Sequence, residues 1–312
     1  MAKLFLGIDL GGTAIKLAVV DEKGTILEEE SVMNDPSLLP DQLCAEIVDK
    51  ARGMKDFRRI SGTGIGVAGD IDQEKGVVRF SPNLPKWKNA NLRKMLGKDL
   101  PKPIVVDNDA NAAAVGAFWL EAKGKVKNLL CVTLGTGVGG GLVCDGKIYR
   151  GASGTAGEIG HMPYNPDGPE CNCGSRGCIE RYIGAPNLSF QAREGVKSGK
   201  SQIISDMVGG NLDKITPKVL ADAARKGDVF AQKMWTETGT MLGVVLAGVI
   251  NLINPEVIIL AGGLSKADEL LLEPIKAAVK ERAFETPRKA CRIIISKYDQ
   301  KLGVVGAALL AK

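Results

Sequence analysis

The stretch Leu4-Phe5-Leu6-Gly7-Ile8-Asp9-Leu10-Gly11-Gly12-Thr13-Ala14-Ile15-Lys16-Leu17-Ala18-Val19-Val20-Asp21 is apolar up to Leu10 save for one carboxylate. It breaks at a glycine pair and resumes as an apolar run interrupted only by Lys16. That pattern reads as strand, tight glycine turn and strand, after which Asp21-Glu22-Lys23-Gly24 turns the chain into a third strand. The same grammar returns about 124 residues later. Leu129 to Leu134 is apolar apart from Thr133, Gly135-Thr136-Gly137 breaks it, Leu142-Val143-Cys144 resumes, and Asp145-Gly146-Lys147 turns. Two such units predict a duplicated α/β architecture of two lobes, each with one glycine hairpin.

Further elements fit between and after these units. Ile60 to Ala68 and Ile104-Val105-Val106 read as strands, and Asp107-Asn108-Asp109 supplies capping chemistry for an alanine-rich helix from Ala110 to about Glu121. Leu220 to Ile253 reads as mostly helical, Asn254-Pro255 stops it, and Val257 to Leu260 is a buried strand ending in Gly262-Gly263-Leu264-Ser265. A final helix, Gly303 to Ala311, is too short and apolar to stand alone and is expected to pack on the first lobe. The expected division is a small α/β lobe of residues 1–108 plus 301–312, and a large α/β lobe of residues 109–300.

Composition narrows the function. The 312 residues carry 41 basic and 36 acidic side chains and only 4% aromatics, so the surplus of +5 is small and no nucleic-acid face is expected. The N-terminus reads as a first strand and not as a signal peptide. The longest apolar stretch, Met241 to Ile250, is about half a membrane span and reads as a core helix, so no membrane association and a cytoplasmic location are expected. Cys44, Cys131, Cys144 and Cys291 read as small buried hydrophobes.

Four motifs carry chemistry. In the first turn, Gly11 and Gly12 expose backbone amides that phosphate can approach closely. Asp9 is placed to hold hydrated magnesium, and Thr13 and Lys16 to reach phosphate oxygens; the plain alternative is a bare hairpin. The second turn, Gly135-Thr136-Gly137-Val138-Gly139-Gly140-Gly141, has five glycines in seven residues, more than a hairpin needs, and together the two turns read as a nucleotide clamp. Neither Gly64/Gly66/Gly69 nor Gly135/Gly137/Gly140 leads into a helix, so the dinucleotide fingerprint is rejected, and no Walker A loop occurs. In Asp107-Asn108-Asp109, an aspartate in the first helical turn is expected to stay ionised and to serve as a general base; plain capping is the alternative. The only histidine, His161, lies ten residues before Cys171, with Cys173 and Cys178 close behind. This Cys3His set suits a structural zinc with every position filled by protein, whereas a redox Cys-x-Cys pair is the competing reading.

As a set, these residues resemble the ROK family of sugar kinases and sugar-responsive repressors, most closely its bacterial glucokinases. The resemblance rests on Asp9 to Thr13, Gly64 to Gly69, Ser81 to Trp87, Asp107 to Asn111, Leu134 to Gly141, Glu158 to His161, Cys171 to Glu180 and Gly262 to Ser265. It implies an actin/hexokinase-like (ribonuclease H-like) two-lobed fold with ATP and a hexose bound between the lobes, and a place in carbohydrate metabolism. Asp109 would be the base that takes the proton of the sugar's 6-hydroxyl. Gly69, Asn83, Asn108, Glu158, His161 and Glu180 would line the sugar, and Gly262 and Gly263 would lie near the nucleoside. His161 would use one ring nitrogen for zinc and the other for sugar. A homodimer (or tetramer) follows by family analogy. The family alternatives are a kinase for N-acetylmannosamine, N-acetylglucosamine, fructose or allose, or a sugar-sensing regulator. The regulators carry a helix-turn-helix ahead of the first glycine motif, for which a motif beginning at residue 9 leaves no room. Two departures from the family pattern stand out: Ala68 where proline is frequent, and Gly184-Ala185-Pro186 after Glu180.

Overall fold

A computed structural model describes residues 2–35, 37–81 and 84–312. Strands β1 (Leu4–Leu10), β2 (Ala14–Asp21) and β3 (Ile26–Met33) form an antiparallel meander, with Asp9 opposite Lys16 and Leu10 opposite Ile15 across the first glycine turn. Helix α1 (Pro40–Gly53) buries Leu43, Cys44, Ile47, Val48 and Ala51, the apolar stripe of an otherwise polar helix. Strand β4 (Ile60–Val67) returns parallel to β1. A small sheet of β5 (Asp70–Asp72), β6 (Val77–Phe80) and β7 (Ala90–Asn91) leads through α2 (Leu92–Leu96) to β8 (Ile104–Asn108), which runs parallel to β4. The sheet order is β3-β2-β1-β4-β8, and β8 feeds directly into α3 (Asp109–Leu120).

The second half repeats this plan. Strands β9 (Leu129–Leu134), β10 (Val138–Cys144) and β11 (Lys147–Tyr149) follow, then helices α4 (Glu180–Ile183), α5 (Ala185–Lys197), α6 (Gln202–Met207), α7 (Pro217–Arg225) and α8 (Val229–Ile253). The chain closes with β12 (Val257–Ala261), α9 (Glu269–Arg282), α10 (Glu285–Ala290), β13 (Arg292–Ile295) and α11 (Asp299–Leu310). The order β11-β10-β9-β12-β13 matches the first sheet strand for strand, as a duplicated sequence requires.

Two compact units result: Met1–Cys131 with Gly141–Gly157 and Lys297–Lys312, and Val132–Gly140 with Glu158–Ser296. This partition differs from a cut after Asn108, because α3 packs within the first unit. A Cβ on Gly116 of α3 would collide with the Leu302 carbonyl, and one on Gly306 of α11 with the Ala112 carbonyl, so the two helices touch backbone to backbone. Helix α11 buries Leu302, Val304, Val305, Ala307, Ala308 and Leu309, which explains why so apolar a helix ends the chain.

The region expected as one mostly helical segment is two helices. Lys226 and Gly227 break it, and Asp228 caps α8 by accepting from Ala231 N at 2.7 Å. Helix α8 is therefore 25 residues, longer than the apolar run that marks it, and is long and apolar enough by composition to cross a membrane. Half of its most apolar window is buried inside the protein, including Leu242, Leu246 and Ile250, as in a core helix. Cys44 and Cys131 are buried as expected, but Cys144 and Cys291 are only partly so, since both sit at sheet margins.

Candidate active site and metal knuckle

In the first unit, the end of β1 sets Asp9 beside the first glycine turn. Asn34 staples that turn from behind: its backbone N–H donates to Thr13 O at 3.0 Å and its Nδ2 to Gly11 O at 2.8 Å. Gly12 and Thr13 remain exposed although their carbonyls are held from behind by Asn34. Lys16 Nζ donates to Gln300 O at 3.2 Å, which tethers it toward the start of α11. Gly303 leaves room for Asp9, since a Cβ there would collide with the carboxylate. Burial, then the neighbouring Asp109, pushes the Asp9 carboxyl up to about 6, with Lys16 pulling the other way.

The two aspartates around Asn108 have opposite environments. Asp107 is fully buried and takes Arg150 Nε at 2.8 Å and Nη2 at 2.7 Å, Asn111 Nδ2 at 2.9 Å and the Asn108 N–H at 2.8 Å. Both its oxygens are committed, so it positions and does not react. Asp109 opens α3, and its carboxyl accepts from backbone N–H groups, those of Ala110 at 3.0 Å and of Asp109 itself. Loss of water around its carboxyl raises its pKa more than those N–H groups lower it. Desolvation therefore acts against the helix terminus, which favours the ionised form, and its effect is the larger of the two. A carboxylate with raised proton affinity is the better base.

Asn108 is the cap that holds this arrangement. Its Oδ1 accepts from Ala110 N at 2.8 Å and Asn111 N at 3.3 Å, and its Nδ2 donates to Gly69 O at 3.1 Å, which leaves one amide hydrogen for a ligand. Gly69 has φ +126°, and a Cβ there would strike the Phe80 carbonyl, so only glycine fits. Asn83 lies outside the described residues. Arg150 and Asn34 were not singled out from sequence, and Asn111 appeared there only as the end of the Asp107 to Asn111 stretch, without a role. Their partners are 43, 23 and 4 residues away, and only the last spacing is a local signal.

In the second unit, Gly135 N bonds to Gly137 O at 2.9 Å and Ala185 N to Gly135 O at 2.9 Å. Glu180 Oε2 accepts from Val138 N at 2.8 Å, and a Cβ on Gly137 would lie 2.5 Å from that oxygen. Glycine at 137 therefore lets a carboxylate grip the turn. Gly135, Thr136 and Gly263 share the wall of a cavity of about 440 Å³ with Thr216, Pro217, Lys218, Arg225, Trp235 and Lys266. Gly262, at φ +94°, packs on the Leu134 backbone and carries the chain into that wall. Sequence reading brought the two glycine segments together but missed the α7 and Trp235 contributions.

The knuckle is built on short-range backbone bonds: Cys171 N to Ser175 O at 2.8 Å, Gly174 N to Cys171 O at 3.0 Å, and bridges pairing Pro163 with Cys178 and Glu170 with Arg176. His161 Nδ1 is 3.7 Å from Cys171 Sγ, Cys173 Sγ is 3.6 Å from Cys178 Sγ, and all four donor atoms lie within 4.8 Å of one another. A tetrahedral zinc with bonds of about 2.3 Å to sulfur and about 2.0 Å to nitrogen needs donor separations of roughly 3.5–3.8 Å, so the residues present fit the ion. Because Nδ1 faces the thiols, Nε2 is the outward nitrogen, 3.9 Å from Glu158 Oε2.

The ROK family model matches residues 5–312. A glucokinase of Thermotoga maritima is 36% identical over 100% of this chain and 98% of its own length. A xylose repressor of Caldicellulosiruptor bescii is 33% identical, over 96% of this chain and 76% of the repressor. The crystal structure of a ROK family glucokinase from Streptomyces griseus in complex with glucose and AMPPNP superimposes with a TM-score of 0.84, at 34% identity and 99% coverage of both chains. The repeated sheet order is the actin/hexokinase-like arrangement that the sequence resemblance implied. A match over nearly every residue, in sequence and in fold, means that this chain belongs to the ROK family.

Proposed function

We propose that the chain is an ATP-dependent hexose kinase that transfers the γ-phosphoryl group to the 6-hydroxyl of glucose, with Asp109 as the general base. The observation that carries this reading is the contrast at the start of α3: Asp107 is locked by the side chains of Arg150 and Asn111, while the desolvated carboxyl of Asp109 is held by backbone N–H groups. Asp109 takes the hydroxyl proton as the oxygen attacks phosphorus, and Asn108 holds the acid's neighbour in place through its cap. Asn83, Gly69, Glu158, His161 Nε2 and Glu180 supply polar groups for the remaining hydroxyls. Gly11, Gly12, Thr13 and Lys16 hold phosphate, and Gly135, Thr136, Gly137, Gly262 and Gly263 border the nucleoside. The full-length likeness to a glucokinase, and to a glucokinase structure containing glucose and AMPPNP, supports substrate and donor.

Asp9 is a hard oxygen donor beside the phosphate turn, held in a desolvated place that favours charge compensation, so it fits magnesium. When bound, the ion neutralises charge on the transferring phosphoryl group. Zinc in the knuckle fixes His161 and, through Cys178 and Ile179, the start of α4 with Glu180. We place the protein in the cytoplasm as a homodimer (or tetramer), which sedimentation of the purified chain checks.

The test is a coupled assay of ADP release across glucose, fructose, allose, mannose, N-acetylmannosamine and N-acetylglucosamine. Glucose is expected to give the highest kcat/KM. Release stimulated by none of the sugars, with sugar binding retained, would instead favour the sugar-sensing reading to which the xylose repressor likeness points.

A further inference from the structure

The first unit holds a second cavity, of about 660 Å³, at the N-terminal end of β8. Its wall includes Arg93, Lys94, Lys98 and Lys102 with Pro103 and Val105 as its accessible apolar side chains, and contains no carboxylate. Arg93 is fixed: Nε donates to Ile104 O at 3.1 Å, Nη2 to Gln73 O at 2.8 Å and Nη1 to Glu74 O. With three carbonyls satisfied, its positive charge is held at the cavity without a counter-ion. No ion pair involves Lys94, Lys98 or Lys102 among the described residues, and the nearest acidic neighbour in sequence, Asp99, is taken by Arg52 at 2.6 Å.

Four like charges around one concavity repel one another, and a surface that kept them only for solubility would intersperse acids, as the pairs along α5, α7 and α9 do. The arrangement is what an anion with a body needs: ammonium groups as point charges for phosphate, and an apolar floor for a flat group. The cavity is not the site described above. Ile104 opens β8 and Asp109 follows its last residue, about 16 Å away along an extended strand.

We propose that this groove binds an organic phosphate of the nucleoside diphosphate class, with phosphates on Lys94, Lys98 and Lys102 and the base over Pro103 and Val105. The proposal does not depend on the kinase reading, because its residues lie in α2, in the connection to β8 and at the start of β8, none of which the kinase reading uses.

The test uses mant-GDP as the probe on the full-length protein, with glucose and saturating AMPPNP present so that the active site is filled. Fluorescence titration is expected to show saturable binding, competed by pyrophosphate, weakening at least tenfold between 50 and 300 mM salt by about the screening expected for exposed charges. The triple variant Lys94→Gln/Lys98→Gln/Lys102→Gln is expected to lose at least tenfold in affinity while its melting temperature stays within a few degrees of wild type. All three lysines are exposed, so the fold does not depend on them. No saturable binding in wild type, or equal binding by the triple variant, overturns the proposal.

Discussion

The glycine turn after β1 and the glycine turn after β9 occupy equivalent places in sheets of equivalent order, yet Asp9 in the first has Thr133 as its counterpart in the second. The first turn has carboxylates beside it: Asp9 and Asp109 are both raised first by burial, and the charge of Asp109 raises Asp9 further. The second has no strand carboxylate and is instead gripped from outside by Glu180 and by the Ala185 N–H. One half of the duplication thus concentrates unfavourable charge where phosphate chemistry would use it. The other half is braced by a metal knuckle. Duplicated folds can divide labour this way because the backbone plan is set by glycines and apolar residues, leaving the polar positions free to diverge.

The comparison breaks most severely if the bracing is not metallic. Cys178→Ser should lose zinc to well below one equivalent by metal analysis and expose residues 163–176 to protease, since such sites contribute on the order of 10 kcal/mol to folding. Full zinc-free stability in wild type would remove the contrast. Next in size is the scaffold of the charged half. Arg150→Met strands the buried Asp107 charge and should cost about 3–5 kcal/mol in denaturant unfolding, whereas Arg150→Met with Asp107→Asn should recover much of it.

Asp9 supplies a pH signature. Its folded-state pKa is raised above the unfolded value, so ionised Asp9 opposes folding above pH 6, and that penalty fades as pH falls through about 6 toward the unfolded value near 3.8. In metal-free protein, Asp9→Asn should raise the melting temperature at pH 7.5, by about 1–2 kcal/mol of stability, and the gain should shrink below pH 6. A gain that grows on acidification would contradict the assignment. The smallest effect belongs to the second turn. Glu180→Gln weakens one charge-assisted bond and should cost about 1 kcal/mol, read as faster amide exchange at Val138 with little change at Thr13.

Much of this was legible in the sequence for a physical reason. Strand alternation, glycine turns and the cysteine spacing are local, so β1–β3, β9–β11, the helix after Asn108 and the Cys3His set could be read from short windows. The break at Gly227-Asp228 was also local, but apolar residues on both sides masked it. Arg150 and Asn34 were not legible, because nothing near them in the chain signals a buried aspartate or a turn that needs stapling. The proton affinity of Asp109 has the same two sides: the helix terminus is visible in sequence, and the protein packed around the carboxyl, which raises it, is not.

The most direct test of the account is the kcat of Asp109→Asn with glucose and ATP, measured on protein shown to keep its zinc and its melting temperature. The account predicts a fall of about 10²–10⁴ with a nearly unchanged KM for glucose, because the variant keeps the shape of the site and loses only the proton acceptor. A kcat within a few fold of wild type would mean that the carboxyl at the start of α3 is not the base, and that the division between a chemical half and a braced half is wrong.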